Sequence, residues 1–182
     1  SFSGKRYIRG VDYNNNQSSM AIELTLSPGG IPEFKPGLPD NYNGPIIRGA
    51  AASFAKTNDA LITVQELQQH DYSLRFYLVR FLRKINTVLD IRSHGIYSYF
   101  MLKNNMRKEV DTIGKFHLRQ DQYTCFFTVP TNCRASFDKD TEYQVIGIYY
   151  STQLLQELIP FFPELQKMID SGEPMPLPGK TC

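Results

Sequence analysis

The side chains best suited to metal or acid-base chemistry in this chain are few and scattered. The three histidines, His70, His94 and His117, contain no HxH or HExxH spacing, and a metal site needs three or four converging ligands. No metal and no other cofactor is therefore expected. His70 and His94 read as turn residues. His117 alternates with Phe116 and Leu118, so it faces away from them, into a cavity or into water. The cysteines Cys125, Cys133 and Cys182 are odd in number and form no CxxC pair, which argues against a disulfide framework and suits a reducing compartment. Cys125, between Tyr123 and Phe127, reads as a small packed thiol, because a reactive one needs a neighbouring cation to lower its pKa. No GxSxG elbow, phosphate-binding loop or GxGxxG run is present. Glu66, Glu109, Asp111 and Glu142 read as turn or surface carboxylates. A non-enzymatic protein is the expectation.

Binding chemistry is easier to place. Arg75, Tyr77, Tyr97, Tyr99, His117 and Tyr149 fall on alternating positions of consecutive predicted strands. A pocket needs a mostly apolar wall with a few convergent polar groups, and tyrosine supplies both. These six are the candidate ligand-binding residues. Each tyrosine has a simpler reading as core packing with a satisfied hydroxyl. Arg75 either meets an acidic partner or ligand, or lies in solvent, since a guanidinium is seldom buried alone.

The elements that must position these groups follow from composition and pattern. The chain has 182 residues, 41% hydrophobic and 21% charged, which fits one packed domain with an appendage at most. Its formal net charge is +2 and its pI is about 8.4. A nucleic-acid binder needs a clustered basic stripe; here the densest group is Arg80, Arg83 and Lys84, followed by Arg92, and it reads as a solvated strand end. Neither a membrane span nor a signal-peptide core is apparent, so cytoplasm is expected and a membrane partner is not.

Residues 1–45 read as an irregular N-terminal arm, with a short patch at Tyr7 to Val11, a polar run over 14–19 and a strand at Ala21 to Leu26. From Pro28 to Pro45 five prolines and four glycines exclude a helix or a central strand. This segment is either an ordered arm over a body or a flexible lid whose order depends on ligand. Strands are predicted at 46–54, 60–67, 72–82, 87–91, 96–103, 114–119, 122–129, 134–137 and 142–150. Short strands at this spacing, with no helices between them, predict a mostly β sandwich or barrel over 46–150. Ser151 is a predicted N-cap for a helix carrying Leu154, Leu155, Leu158 and Ile159 before Pro160. A second helix starts near Pro163, with Leu165, Met168 and Ile169 on one face and Gly172 past its end. The helices occupy 151–172, and 173–182 reads as a proline-rich linker. Leu154, Leu155, Leu158 and Ile159 are candidates for pairing with a second copy of the chain.

The stretch 114–130 (GKFHLRQDQYTCFFTVP), closed by 143–151 (YQVIGIYYS), resembles the second half of cupin-type sensor domains, and 73–77 (SLRFY) through 96–103 (IYSYFMLK) fits the first half. With YYSTQLL at 149–155 and FFPEL at 161–165, the order of parts is similar to the N-terminal ligand-sensing region of AraC-family transcription regulators. The resemblance spans roughly residues 46–170. It implies a cupin-like jelly-roll barrel with a loop-rich N-terminal arm and two short C-terminal helices. It also implies a small-molecule effector, a homodimer, and contact with DNA only through helix-turn-helix motifs beyond the linker. The metal-binding histidine pair of enzymatic cupins is missing, and Ala135 lies near the place of the second motif's histidine. The competing expectations are a metal-dependent cupin isomerase or dioxygenase, and a plain β-sandwich module for carbohydrate or protein, which the absence of tryptophan disfavours.

Overall fold

The computed structural model describes residues 22–27, 30–92, 94–112, 114–171 and 179–180. In chain order the strands are β1 (Ile22–Ser27), β2 (Lys35–Pro36), β3 (Ala51–Lys56), β4 (Ala60–Gln68), β5 (Tyr72–Phe81), β6 (Ile85–Ile91) and β7 (Gly95–Lys103). There follow β8 (Met106–Val110), β9 (Gly114–Leu118), β10 (Gln122–Thr128), β11 (Thr131–Phe137) and β12 (Thr141–Ser151). Helices α1 (Thr152–Leu158) and α2 (Glu164–Ser171) precede a two-residue strand, β13 (Gly179–Lys180). The predicted patch at 7–11, the polar run, Gly172 and most of the proline-rich linker lie outside the described residues.

Every ladder is antiparallel, and the strands form two sheets. One has five strands in the order β1-β6-β11-β8-β9, the other eight in the order β13-β10-β7-β12-β5-β4-β3-β2. The expected mostly β architecture is present, but the expected jelly-roll barrel is not. Closure needs a ladder from one sheet to the other, and none forms among the described residues. β9 and β10 follow one another in the chain, yet β9 ends one sheet and β10 joins the other. The result is two open sheets facing across a shared core, to which each contributes buried side chains: Ile85, Ile91, Val110 and Leu118 from the smaller, Ile62, Phe81, Met101 and Phe126 from the larger.

The turns use the chemistry expected of them. Asn104, Asp121 and Asp140 take positive φ values of 67°, 60° and 54° where β7, β9 and β11 hand over to their successors, a conformation Asn and Asp tolerate best among non-glycine residues. Ser151 caps α1, its side chain accepting from the Leu154 N–H at 3.2 Å. Both helices lie on the outer face of the larger sheet, where Leu155 packs on Ile96 with Leu165 and Ile169 nearby. No helix among the described residues is long and apolar enough to cross a membrane.

The two-residue strands β2 and β13 were not expected, β11 starts earlier than expected, and β3 and β8 depart most. β3 starts at Ala51, leaving Ile46 75% exposed, because residues 42–47 are occupied in holding the arm. There Gln65 on β4 donates to Tyr42 Oη at 2.8 Å and to the Pro45 carbonyl at 2.7 Å, and accepts from the Ile47 N–H at 2.8 Å. β8 was not expected at all, since its sequence MRKEV reads as surface. Phe81, Phe137 and Tyr143 lock one end of the core, with ring centroids 4.6 Å and 4.8 Å apart for the pairs made by Phe137.

Gly95 opens β7 where a Cβ would lie 2.4 Å from the Tyr150 carbonyl oxygen and 2.6 Å from a Tyr149 ring carbon. Backbone cannot yield as a flexible side chain does, so the Gly95→Ala variant is expected to lose about 1–3 kcal/mol of stability, measured by urea unfolding. An unchanged midpoint would mean that the two strands are less tightly apposed than this.

Candidate functional site

The pleat of the larger sheet places its inward side chains in rows that cross the strands. One row runs Glu66, Arg75, Gly147, Tyr99, Thr124, read through the registers of β4, β5, β12, β7 and β10. The row on one side runs Val64, Tyr77, Val145, Met101; the row on the other runs Ser73, Tyr149, Tyr97, Phe126. Five of the six candidate ligand-binding residues, Arg75, Tyr77, Tyr97, Tyr99 and Tyr149, therefore share three adjacent rows of one sheet face. His117 does not join them: it is exposed on β9, while its neighbour Leu118 is buried.

Gly147 sits at the centre of this face. An added Cβ would lie 3.5 Å from Tyr77 and 3.7 Å from Tyr99, so the absence of a side chain leaves the space that these two rings lean over. Tyr97 stacks on Tyr99 with centroids 5.3 Å apart, and both stack on Phe126. The Tyr149 hydroxyl donates to the His94 carbonyl at 2.7 Å, which anchors the end of the aromatic group. Such offset ring pairs contribute about 0.5–1.5 kcal/mol each beyond their buried area.

Arg75 has the acidic partner that its burial demands. Its Nη2 lies 2.7 Å from Glu66 Oε1, and Nε donates to the same oxygen at 2.8 Å; the two side chains are 11% and 22% exposed. Burial pulls the guanidinium's pKa down, but Tyr77, Glu66 and Tyr97 outweigh it, so the group is held above its usual range and stays charged. Two residues along the strand, the Ser73 hydroxyl is buried and has no hydrogen-bond partner among the described residues.

From the facing sheet Lys108, on β8, enters the same interior. It is 4% exposed, and its Nζ sits 3.4 Å from the centre of the Tyr99 ring. Burial lowers the amine's pKa, and the neighbouring Cys133 thiol opposes that shift. Ala135, where the cupin resemblance looks for a histidine, is the cross-strand partner of Lys108. Reading the sequence alone misses Lys108, because Arg107, Lys108 and Glu109 in succession mask the alternation in which Met106, Lys108 and Val110 point inward. That period-two pattern of apolar residues flanking a lysine was the available signal.

The remaining candidates are placed elsewhere. Among the described residues no three His, Cys, Asp or Glu side chains converge as a metal site would require. The Cys125 thiol is pushed up by burial, and Ser98 Oγ lies 3.2 Å from its sulfur. Arg83 pairs with Asp59 at 2.5 Å and Arg92 with Asp90 at 2.7 Å, so two members of the basic group are neutralised locally. In α1 Leu155 is buried against its own sheet, while Leu154, Leu158 and Ile159 are half-buried.

No protein-family model matches the chain, and no curated protein matches it in sequence. Among solved structures it is similar to the cupin domain of Cnp3 from Schizosaccharomyces pombe, with 11% identity over 57% of this chain and 74% of that one, at a TM-score of 0.42. It is similar to the plu4264 protein from Photorhabdus luminescens, with 8% identity over 69% and 98% and a TM-score of 0.44. It is also similar to the AraC-like transcriptional activator CuxR, with 9% identity over 73% of this chain but 43% of that one, at 0.41. These are partial likenesses to several cupin-superfamily folds, at scores too low to say anything of ligand, partner or reaction. The expected identity as an AraC-family, DNA-binding regulator is not borne out: the likeness to the AraC-like activator is at 9% identity and spans less than half of that protein.

Burial pushes Tyr97 and Tyr99 well above the ordinary phenol pKa of 10.0, and raises Tyr77 despite the opposing pull of Arg75. A folded-state pKa above the unfolded one stabilises the fold below pH 10, and that contribution is lost as pH rises further. In a spectrophotometric titration Tyr97 and Tyr99 are expected to ionise only together with unfolding. Ionisation of all tyrosines in one reversible step near pH 10, with the fold intact, would contradict this placement.

Proposed function

We propose that the chain is a non-enzymatic module that binds a small molecule between its two sheets and reports its presence. The observation carrying this reading is the inward-facing group of Arg75 and Glu66 with Ser73 on the same strand as Arg75, its hydroxyl buried and without a partner among the described residues. A buried ion pair is weak as a stabilising device, because well-packed apolar residues of similar volume often do as well or better. Buried polar groups lacking partners point to a ligand or to bound water. The surrounding tyrosines offer an apolar wall with polar edges, as small-molecule sites do.

Reporting requires that ligand favour one of two states of some attached element. The arm is the natural element. Gln65, which holds Tyr42, Pro45 and Ile47 on one face of β4, is adjacent in sequence to Glu66, which meets Arg75 on the other face. A shift of β4 that accompanies ligand contact at Glu66 moves the amide on which the arm hangs. Self-association is part of the same reading, through α1 and the turn after it, where Phe161 is 76% and Phe162 50% exposed.

The test is a ligand-observed NMR screen of small polar molecules, with hits checked on the ring resonances of Tyr97 and Tyr99. Hits are expected to shift those rings saturably, to lose affinity in Arg75→Met, and to stabilise the fold by about 2.7 kcal/mol at a hundredfold excess over Kd. Hits that leave both rings unmoved, or bind Arg75→Met equally well, would place the site elsewhere. Bound iron, zinc or manganese at one per chain would favour a metal-dependent enzyme instead.

A further inference from the structure

The amine of Lys108 is the group in the interior for which the ion-pair reading has no use. It faces the larger sheet from β8, is almost wholly buried, and lies over the Tyr99 ring. Its neighbours across the ladder are Ala135 and Phe116, and Cys133 stands beside it on β11. Among the described residues no carboxylate forms an ion pair with it. The ring face offsets part of the cost of burying an ammonium, and the carboxylate of Glu66 is already engaged by Arg75. Burial lowers the pKa of this amine, and lysines that act as nucleophiles are activated by such desolvation. A methionine or leucine would fill the same volume at no electrostatic cost.

We propose that Lys108 condenses reversibly with the carbonyl carbon of a small aldehyde or ketone held between the sheets, capturing the ligand as an imine. The step balances within the site. The lone pair of the neutral Nζ forms a bond to the carbonyl carbon, the two amine protons pass to the carbonyl oxygen, the C–O bond breaks, and one water leaves as C=N forms. Neither oxidant nor reductant is involved, and addition of water restores both partners. The reaction is a means of holding a ligand and involves no turnover. This inference rests on the reading of the interior as a ligand site and adds the chemical class of the ligand. Phe126 and the stacked Tyr97 and Tyr99 beside the amine favour a carbonyl compound with an apolar or aromatic body.

The experiment uses the folded chain and separates the two claims. One sample receives propionaldehyde with sodium cyanoborohydride at neutral pH, which fixes any imine as a propyl-amine. A second receives methyl methanethiosulfonate, a small thiol reagent. Both are mapped by peptide mass spectrometry, with circular dichroism confirming the fold. Cys133 is fully buried next to Lys108, so its modification reports entry of a small molecule whether or not the amine reacts. Lys108 is expected to be propylated ahead of the exposed Lys35, Lys56, Lys84, Lys115 and Lys139, and without cyanoborohydride the adduct is expected to vanish on dilution. Modification of Cys133 with Lys108 left untouched would overturn the imine and leave the interior site standing. If Cys133 and Lys108 both stay unmodified while Lys139 and Cys125 react, the interior is closed and both ideas fall.

Discussion

A guanidinium and a carboxylate held side by side between two apolar sheets set the terms for everything around them. Neither Arg75 nor Glu66 can leave its partner without stranding a charge in a region of low polarity, and breaking such a pair from one side costs about 3–5 kcal/mol. The pair favours the observed register of β4 against β5, since a slip of one residue in β4 would put Glu66 on the face opposite Arg75. It also dictates its surroundings. Gly147, directly across from Arg75, brings no side chain to the place where the Tyr77 and Tyr99 rings approach, and the rings of Tyr97, Tyr99 and Phe126 stack on the same sheet face.

The two sheets contribute unequal chemistry to this interior. The larger brings the ion pair, the phenols and the Ser73 hydroxyl; the smaller brings the Lys108 amine, the Cys133 thiol and the buried hydroxyls of Thr87 and Thr131. Their meeting is what makes the interior more than a packed core. An arginine beside protonated phenols recognises polar groups but does no covalent chemistry, whereas a desolvated amine across from them can. In the proposed reading, coupling to the outside would run through β4, whose alternate residues face two ways. Glu66 looks inward to the ion pair and Gln65 looks outward to the arm, so a single strand belongs to both the site and the segment that would respond.

Much of this was legible in the residues and some was not, for definite reasons. Strand periodicity located β4, β5, β7, β10 and β12, and with them the shared face of Arg75, Tyr77, Tyr97, Tyr99 and Tyr149, because aromatic and β-branched alternation is strong there. Ser151 was readable as a cap from its place before a helical run. Closure into a barrel was not readable: it depends on whether edge strands meet, and local pattern says nothing about the hand-over from β9 to β10. β8 was hidden because three charged residues in a row look like surface, although only Lys108 turns inward. His117 could be assigned a face relative to Phe116 and Leu118, but not which face met solvent, and it lies exposed. Glu66 read as a surface carboxylate, since a cross-strand partner nine residues away in sequence is invisible until the hairpin register is known.

The central claim is that the Arg75–Glu66 pair is kept for what it binds and not for the stability it confers. A double-mutant cycle with Glu66→Leu and Arg75→Met, followed by urea unfolding, tests it most directly. The account predicts that each single change costs about 3–5 kcal/mol while the double variant unfolds within about 1 kcal/mol of the parent or above it. A double variant that still loses about 3 kcal/mol or more would show that the pair serves the fold, and would contradict the account.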